Sequence, residues 1–526
     1  MVRSLCRQGE TVHLVCQEND PAAYDFIGAA FTHKRDGGVV KHFERETPYR
    51  GSCVLHKPEL DGILPVFVWD EYAEHSRVVP MIDLANAELE AYIARNVMVV
   101  EAIVDEYGIT GIHANHAVLM PTVAQRVRLS RGIPFTIMPH GSDIEYAVKK
   151  DPRFLAYASS AIESSGRVFV IGDEMRERVR AVFHTVPELE SKLTGLHLGV
   201  DTSEFEPVER DGRRGRIQQL IVSAGDLAKG KTARDTARMR DALRVWAHGE
   251  PLAPLLHASA GYDPKKADAD IAVKLERIDW SKPTVLFVGR LIAAKGIQSV
   301  IAALPAALER QPDLQLIVVG HGPLRELMEA FIFALSEGRD DLLAEILEHG
   351  RLLEQAGSVD PGYAEVSAYM ARLREKGGME SYQACAQSSR FRESITFTGY
   401  LTHHELKHLF ACCDVGIFPS VVREAGPLVF LEAIASGCLP MGTYMGGMAA
   451  SIDAVSDEIG SDLKRLMGLS PERTADDIAA KLPDALHHAP EFRLALADVA
   501  RKHYDWSSVS TKLRAEVDLL SGGLHQ

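Results

Sequence analysis

The sequence is poor in cysteine and contains no long hydrophobic run. Its seven cysteines are an odd number without a C-x-x-C spacing, so neither a disulfide framework nor a zinc ribbon is indicated. No apolar stretch approaches the ~18 residues that cross a bilayer, and the segment from Met1 to Gln8 lacks the apolar core of a signal peptide. These absences predict a cytoplasmic protein without a transmembrane segment; peripheral contact with a membrane stays open.

Positive charge is scarce as well. Lys and Arg number 58 against 73 Asp and Glu, and the formal net charge of −15 argues against a general nucleic-acid binder. Hydrophobic residues make up 46% and charged residues 25%, an ordinary balance that excludes wholesale disorder. A chain of 526 residues is too long for one core, so two domains are expected.

Two regions, 1–205 and 282–504, alternate short β-rich runs with amphipathic helical patterns. The strands predicted for the first region are Val12–Cys16, Gly111–Ala114, Phe135–Met138 and Arg167–Ile171. Those predicted for the second region are Thr284–Val288, Leu314–Val319, Ser394–Phe397 and Asp414–Phe418. This alternation predicts an α/β fold with two Rossmann-like domains across a cleft, each a parallel sheet that binds ligands at the carboxyl ends of its strands.

Three segments depart from this alternation. Residues 206–281 and 324–392 are helical in pattern and predict a linker with a helical insertion and a second helical insertion. At the N-terminus the pattern starts inside a helix, which runs through Gly9 into the strand at Val12. The first strand of the N-terminal domain, with its Gly-rich loop, is therefore expected to be missing or to be replaced by a later segment.

Residues 225–232 read GDLAKGKT and satisfy the Walker A pattern. In a genuine P-loop, backbone N–H groups cradle phosphates and the lysine, here Lys231, reaches the β and γ oxygens. A P-loop follows a buried strand, whereas the apolar residues from Ile217 to Ala224 recur at helical spacing. The pattern therefore favours a turn between two surface helices.

His404 to His408 read HELKH, the H-E-x-x-H pattern of zinc peptidases. Thr402 and Glu405 form a capping box, so this is the first turn of a helix and Glu405 already has a structural task. His404 and His408 are expected near solvent, and no third ligand is evident. A zinc site is not predicted.

Two cations lie on a loop between a predicted strand and a helix. The segment from Gly289 to Gly296 follows the strand that ends at Val288, and it carries Arg290 and Lys295 before a helix beginning near Ile297. A helix N-terminus adds positive potential, so a diphosphate would be held well there. The other interpretation is a pair of solvated side chains.

A second strand-to-helix loop carries two carboxylates. Glu424 precedes the helix and Glu432 lies within it, on an otherwise apolar stretch. Pro427 suits the first helical turn, and free N–H groups at Ala425–Leu428 could receive phosphate or sugar oxygens. A carboxylate at position 432 is costly unless it has a partner, for which sugar or ribose hydroxyls are suitable donors.

These residues resemble the retaining glycosyltransferases of family 4, which have the GT-B architecture. Glu424 and Glu432 match the E-x7-E motif of that family, and Gly289–Gly296 matches its diphosphate-binding segment. Further similar segments are the domain linker Gly199–Pro207, the N-domain active-site loop Pro139–Asp143 and the start of the C-terminal helix, Tyr504–Trp506. By this resemblance, residues 505–526 complete the N-terminal acceptor domain, and 282–504 form the nucleotide-sugar domain.

The resemblance implies a hexosyltransferase of class EC 2.4 that moves a sugar from a UDP- or GDP-sugar to a small-molecule, glycan or lipid-linked acceptor. Retention of anomeric configuration, no metal and no cofactor beyond the donor are implied. The implied catalytic residues are His140, Arg290, Lys295 and Glu424. The implied donor-binding residues are Arg290, Lys295, Leu401, Glu424, Ala425, Gly426, Pro427, Leu428 and Glu432.

The implied roles differ among these residues. Arg290 and Lys295 would neutralise the diphosphate, Glu432 would hold the ribose, and Leu401 would lie against the base. Glu424 and the amides after it would contact the transferred sugar, which His140 would approach from the other domain; His140 could instead be a buried structural histidine.

Two departures from the family leave an alternative open. The Gly-rich loop after the first strand has no counterpart, and Gly426-Pro427 replaces the usual aromatic-Gly pair, which removes an N–H. The alternative is a catalytically silent GT-B-like binding protein, or a truncated chain.

Overall fold

The computed structural model describes residues 1–60, 62–67, 75–259, 265–350, 361–424 and 426–522. The chain forms two compact units. The first contains Met1–Gly199 together with the segment from Tyr504 onward, and the second contains Val200–His503. The helical segment 206–281 therefore belongs to the second unit. No helix in the described part of the chain combines the length and apolar character of a membrane span.

The strands, in chain order, are β1 Thr11–Val15, β2 Ile27–His33, β3 Val39–Glu44, β4 Ser52–Pro58, β5 Ile63–Val66, β6 Arg77–Pro80, β7 Ile112–Asn115, β8 Phe135–Met138, β9 Arg167–Val170, β10 Leu193–Gly195, β11 Thr284–Val288, β12 Gln315–Val319, β13 Ile395–Gly399, β14 Val415–Phe418, β15 Leu439–Thr443 and β16 Gly468–Leu469. All eight predicted strands are present, with ends shifted by at most two residues.

The helices are α1 Val2–Arg7, α2 Asn86–Tyr107, α3 Met120–Arg131, α4 Pro152–Ser164, α5 Gly172–Val182, α6 Leu189–Lys192, α7 Arg213–Gly225, α8 Ala233–Val245, α9 Leu252–Ser259, α10 Ile271–Arg277, α11 Ile297–Arg310, α12 Arg325–Glu337, α13 Asp340–His349, α14 Pro361–Glu375, α15 Met379–Ala386, α16 Ser389–Glu393, α17 His403–Cys412, α18 Leu428–Ala435, α19 Gly446–Ile459, α20 Ser461–Met467, α21 Thr474–Val499 and α22 Trp506–Gly522. The chain thus enters β1 through a helix, as the sequence pattern predicts.

The strands of the first unit divide among separate sheets, whereas the sequence predicts one. One sheet has the order β1-β4-β2-β3, with β3 antiparallel, and another is the parallel sheet β10-β9-β8-β7. Each sheet has its own apolar core: Cys6 of α1 packs with Ile27 and Leu55, while Leu513 of α22 packs with Met138 and Phe169. Two helices far apart in the chain therefore cover different sheets.

The second unit is built on one parallel sheet with the order β13-β12-β11-β14-β15-β16. Its four predicted strands lie side by side in this sheet. Within the helical segment α7–α10, α7 packs against α17 and α10 packs against the edge strand β13. Arg213 of α7 is buried and bonds the carboxylate of Asp414, which also accepts a hydrogen bond from the backbone N–H of Thr284 (3.0 Å). The insertion is thus attached to the sheet through a buried ion pair.

Candidate nucleotide-sugar site

The predicted donor segments meet at the carboxyl edge of the six-stranded sheet. Strand β11 lies between β12 and β14, so the order of the strands along the chain reverses at β11 and β14. Open α/β sheets bind their ligands at such a reversal, outside the carboxyl ends of the strands. The loop 289–296 follows β11 and the loop 419–427 follows β14, so both leave the sheet at this point.

The two loops are joined by backbone contacts. Val421 donates its N–H to the carbonyl of Ala294 (2.9 Å), and the Ser420 hydroxyl donates to the same carbonyl (3.0 Å). Gly296 has φ of +75°, and a Cβ at this position would lie 1.9 Å from the carbonyl oxygen of Pro419. Only glycine fits this left-handed turn, because the backbone of the other loop occupies the space that a side chain would need.

An ion pair bridges the same loops. Lys295 Nζ lies 2.6 Å from Glu424 Oε1, and both side chains are partly exposed. With Ser420, Val429 and Met448 these two residues line a small cavity. The structure therefore brings together a cation and a carboxylate that the sequence separates by 129 positions.

Arg290 is the second cation of this edge. Its side chain is exposed, and no residue in the described ranges pairs with its guanidinium. The charge of Lys295 is balanced by Glu424, whereas no carboxylate among the described residues balances that of Arg290. Helix α11 begins directly after Gly296 and adds the positive end of its dipole to this region. An anion is therefore favoured beside Arg290.

Glu432 lies on α18 and is 5% exposed. Its Oε1 accepts a hydrogen bond from His403 Nδ1 at 2.6 Å, while no described residue donates to its buried Oε2. An unsatisfied buried acceptor is costly, so this oxygen is suited to a ligand that supplies a donor. The hydrogen bond to Glu432 raises the pKa of His403 and outweighs the effect of desolvation.

Sequence reasoning did not single out His403. The residue follows Thr402, the N-cap of α17, and immediately precedes the H-E-x-x-H segment. Its position after the cap places it in the first helical turn, but local sequence contains no information about its contact with α18.

The remaining donor-binding candidates differ in accessibility. Leu401 is 3% exposed, so a base could contact little of its side chain. Ala425 lies outside the described residues. Gly426 is partly exposed, Pro427 is the buried N-cap of α18, and Leu428 begins that helix with an exposed side chain. Among the last three, only Gly426 and Leu428 can offer a backbone N–H.

His140 belongs to the first unit and follows β8. Its Nε2 is 3.0 Å from Asn115 Oδ1, and its ring packs edge-on against His116. The buried Asp143 accepts hydrogen bonds from the backbone N–H groups of His140 and Ala117. Burial lowers the pKa of His140 to about 4, and the neighbouring His116 contributes in the same direction. At neutral pH the imidazole is therefore uncharged.

The Walker-like lysine is structural. Lys231 is 2% exposed, bonds the carboxylate of Glu326 and lies 3.3 Å from that of Glu329. The segment before it is helix α7 rather than a strand, and Thr232 caps α8. The interpretation as a turn between helices is confirmed.

The H-E-x-x-H segment lies in the first turns of α17, with the expected capping box between Thr402 and Glu405. His404 is exposed, as predicted. The prediction that His408 lies near solvent is wrong, because it is 8% exposed, and burial lowers its pKa to about 4. It falls on the apolar face that α17 packs against α7.

Comparisons with known proteins identify the family of the chain. Residues 1–204 match the family model "Glycosyltransferase Family 4", and residues 270–337 and 371–503 match "Glycosyl transferases group 1". Together these segments cover most of the chain. The protein belongs to the family 4 glycosyltransferases and has their GT-B fold, with Rossmann-like domains.

Individual relatives are distant. The chain is 23% identical over 304 residues to the sulfoquinovosyl transferase SQD2 of Arabidopsis thaliana, an alignment that covers 57% of this chain and 43% of that protein. It is 24% identical over 283 residues to a GDP-mannose-dependent alpha-(1-6)-phosphatidylinositol monomannoside mannosyltransferase of Mycobacterium tuberculosis, covering 52% and 57%. The alignments thus span about half the length of these curated relatives.

A solved structure is similar over the full length. The sucrose-phosphate synthase of Thermosynechococcus elongatus has a TM-score of 0.50 and 15% identity, and the alignment covers 98% of this chain and 100% of that chain. At this identity the likeness shows the fold.

Proposed function

We propose that the protein transfers a sugar from a nucleoside-diphosphate sugar to an acceptor hydroxyl, with retention of anomeric configuration and without a metal ion. The observation that carries this proposal is the Lys295–Glu424 pair at the reversal of the sheet, on the same loop as Arg290, which is exposed and has no ion-pair partner among the described residues. A diphosphate beside Arg290 and Lys295 would receive two cations and the N-terminus of α11.

The charges fit the reaction. As the bond between the sugar and the β-phosphate breaks, its electron pair passes to the leaving diphosphate, whose negative charge grows. Fixed cations stabilise that charge more in the transition state than in the ground state, which lowers the barrier. In the retaining reaction proposed here, the acceptor oxygen attacks from the face of the leaving group and its proton passes to the leaving phosphate oxygen. No protein nucleophile is required.

Glu432 supplies the ribose contact in this proposal. Its Oε2 is buried without a donor, and a ribose hydroxyl would satisfy it. Glu424 would lie against the transferred sugar, held in place by Lys295. Leu401 would present its backbone rather than its buried side chain to the base.

His140 would act as a hydrogen-bonding group toward the transferred sugar or the acceptor. Its neutral imidazole keeps one nitrogen for Asn115, so the other is available to a hydroxyl. A neutral ring adds no further positive charge, which leaves charge stabilisation to Arg290 and Lys295. The acceptor class stays open among small molecules, glycans and lipid-linked acceptors.

The test is calorimetric titration of the full chain with UDP-, GDP- and ADP-sugars, in EDTA and again with Mg²⁺. GDP-mannose belongs in the panel because one relative is named as dependent on it. We expect one nucleotide class to bind equally well with and without the metal. Binding that requires Mg²⁺ would contradict the metal-independent mechanism. If none of the nucleotide sugars in the panel binds, the proposal that the chain binds a donor is contradicted.

A substitution at Glu432 tests whether the donor binds at this site. Glu432→Ala should weaken donor binding at least about tenfold, because a hydrogen bond to a charged group contributes roughly 1.5–3 kcal/mol. Glu393→Ala is the matched control, since Glu393 is an exposed glutamate at the end of α16. Equal affinities of the two variants would refute the assignment of Glu432.

A further inference from the structure

The contact between His403 and Glu432 differs from an ordinary surface ion pair. His403 is 71% exposed, yet its Nδ1 points inward and lies 2.6 Å from Oε1 of a buried carboxylate. Its neighbour His404 follows in the same helical turn and is also exposed, but its ring packs near His408 and makes no contact with Glu432. Of these two adjacent histidines, His403 is therefore the one that contacts the carboxylate of Glu432.

The position of His403 is determined by the cap of α17. Thr402 Oγ1 accepts a hydrogen bond from the N–H of His404 (3.2 Å), and Glu405 accepts one from the N–H of Thr402 (3.0 Å). These two bonds fix the backbone on both sides of His403. Its side chain therefore starts from a rigid turn and needs to order few torsions to reach Glu432.

The two carboxylate oxygens of Glu432 differ in their hydrogen bonding. Oε1 is bound by His403, and the buried Oε2 has no donor among the described residues. A glutamate has three side-chain torsions, so a carboxylate without an anchor would sample several orientations. The anchor at Oε1 holds Oε2 in one place.

We propose that His403 is a positioning residue that anchors Glu432 so that Oε2 accepts a ribose hydroxyl, which makes the site selective for ribonucleotides over nucleotides that lack these hydroxyls. This inference rests on the proposed function, because it needs a nucleotide at the edge of the sheet. The selectivity arises from a pre-oriented acceptor. A ligand without the hydroxyl leaves the buried Oε2 unsatisfied, whereas a ribonucleotide pairs with it.

The experiment compares nucleotides that differ only at the ribose. UDP, GDP and ADP are titrated by calorimetry into the full chain, followed by the 2′,3′-dideoxy form of whichever binds. The proteins are the wild type, His403→Ala, His403→Asn and the matched control His404→Ala. Asparagine can place an amide N–H close to where Nδ1 lies, so it restores the donor without the ring.

We expect His403→Ala to bind the ribonucleotide about tenfold more weakly than the wild type, which corresponds to about 1.4 kcal/mol. Its affinity for the dideoxynucleotide should be unchanged, so the ratio of the two affinities falls. His403→Asn should recover most of the ratio, and His404→Ala should match the wild type. A merely structural effect would weaken both ligands equally.

Two results would overturn the proposal. One is an unchanged ratio in His403→Ala, and the other is tighter ribonucleotide binding, which would mean that His403 competes with the ribose for Glu432. If the wild type binds none of the three nucleotides, the proposed function fails and this inference fails with it. If the wild type binds and discriminates while His403→Ala behaves identically, the inference alone fails.

Discussion

Substitution of Gly296 tests how the donor site is assembled, because the loops after β11 and β14 are in contact at this residue. In Gly296→Ala the new Cβ would lie 1.9 Å from the carbonyl oxygen of Pro419, where atoms need about 3.0 Å, so the loops must separate by about 1 Å. The left-handed conformation itself costs an alanine about 1–2 kcal/mol, and overpacking typically adds about 1–3 kcal/mol.

The expected result is a loss of about 2–5 kcal/mol in the free energy of unfolding of the second unit, the sum of these two costs. The separation should also displace Lys295 from Glu424. A misplacement of about 1 Å can cost a site on the order of 100-fold in function. Urea unfolding followed by circular dichroism measures the first effect, and calorimetry with the nucleotide that the wild type binds measures the second.

Gly377→Ala is the matched control. Gly377 has φ of +70° in the same unit, but a Cβ there would meet nothing within 4 Å. This variant therefore has only the conformational cost, about 1–2 kcal/mol, and should bind nucleotide normally. If the two variants lose equal stability and equal affinity, the contact with Pro419 does not hold the site together and the reasoning is refuted.

Two further predictions concern buried ionisable groups. Burial lowers the pKa of His56 from 6.5 to about 3, so stability should fall as pH drops below 6.5, by about 2 kcal/mol at pH 5. His56→Asn should flatten this dependence of the urea midpoint; parallel curves for both proteins would contradict it. Lys231→Met should lower the free energy of unfolding by about 3–5 kcal/mol, because Glu326 and Glu329 lose their shared cation. Thermal unfolding checks this, and an unchanged melting temperature would argue against the buried ion pair.

His56 makes hydrogen bonds that the local sequence pattern does not predict. Its two ring nitrogens hydrogen-bond His13 (3.0 Å) and His33 (2.9 Å), which come from the neighbouring strands β1 and β2. The three histidines are 20 or more positions apart, so their chain of hydrogen bonds depends on the pairing of β4 between β1 and β2. Sequence reasoning predicted only β1 of these strands.

Elements that depend on neighbouring residues could be predicted from local sequence. The run Thr284–Val288 is a continuous apolar, β-rich segment and forms the predicted strand. Thr402 and Glu405 form a capping box because a helix N-terminus leaves unpaired N–H groups within reach of side chains three positions apart. Helical spacing before residue 225 was likewise enough to reject a P-loop.

Contacts between residues far apart in the chain could not be predicted in this way, because they depend on how the elements pack. Lys295 pairs with Glu424 because β11 and β14 are neighbours in the sheet and Gly296 allows their loops to touch. His403 reaches Glu432 because α17 packs against α18. Sequence periodicity reports which face of an element is apolar, whereas these pairs depend on the order of the strands. That order depends on the apolar surface buried over the whole sheet, so it cannot be predicted from the short motifs.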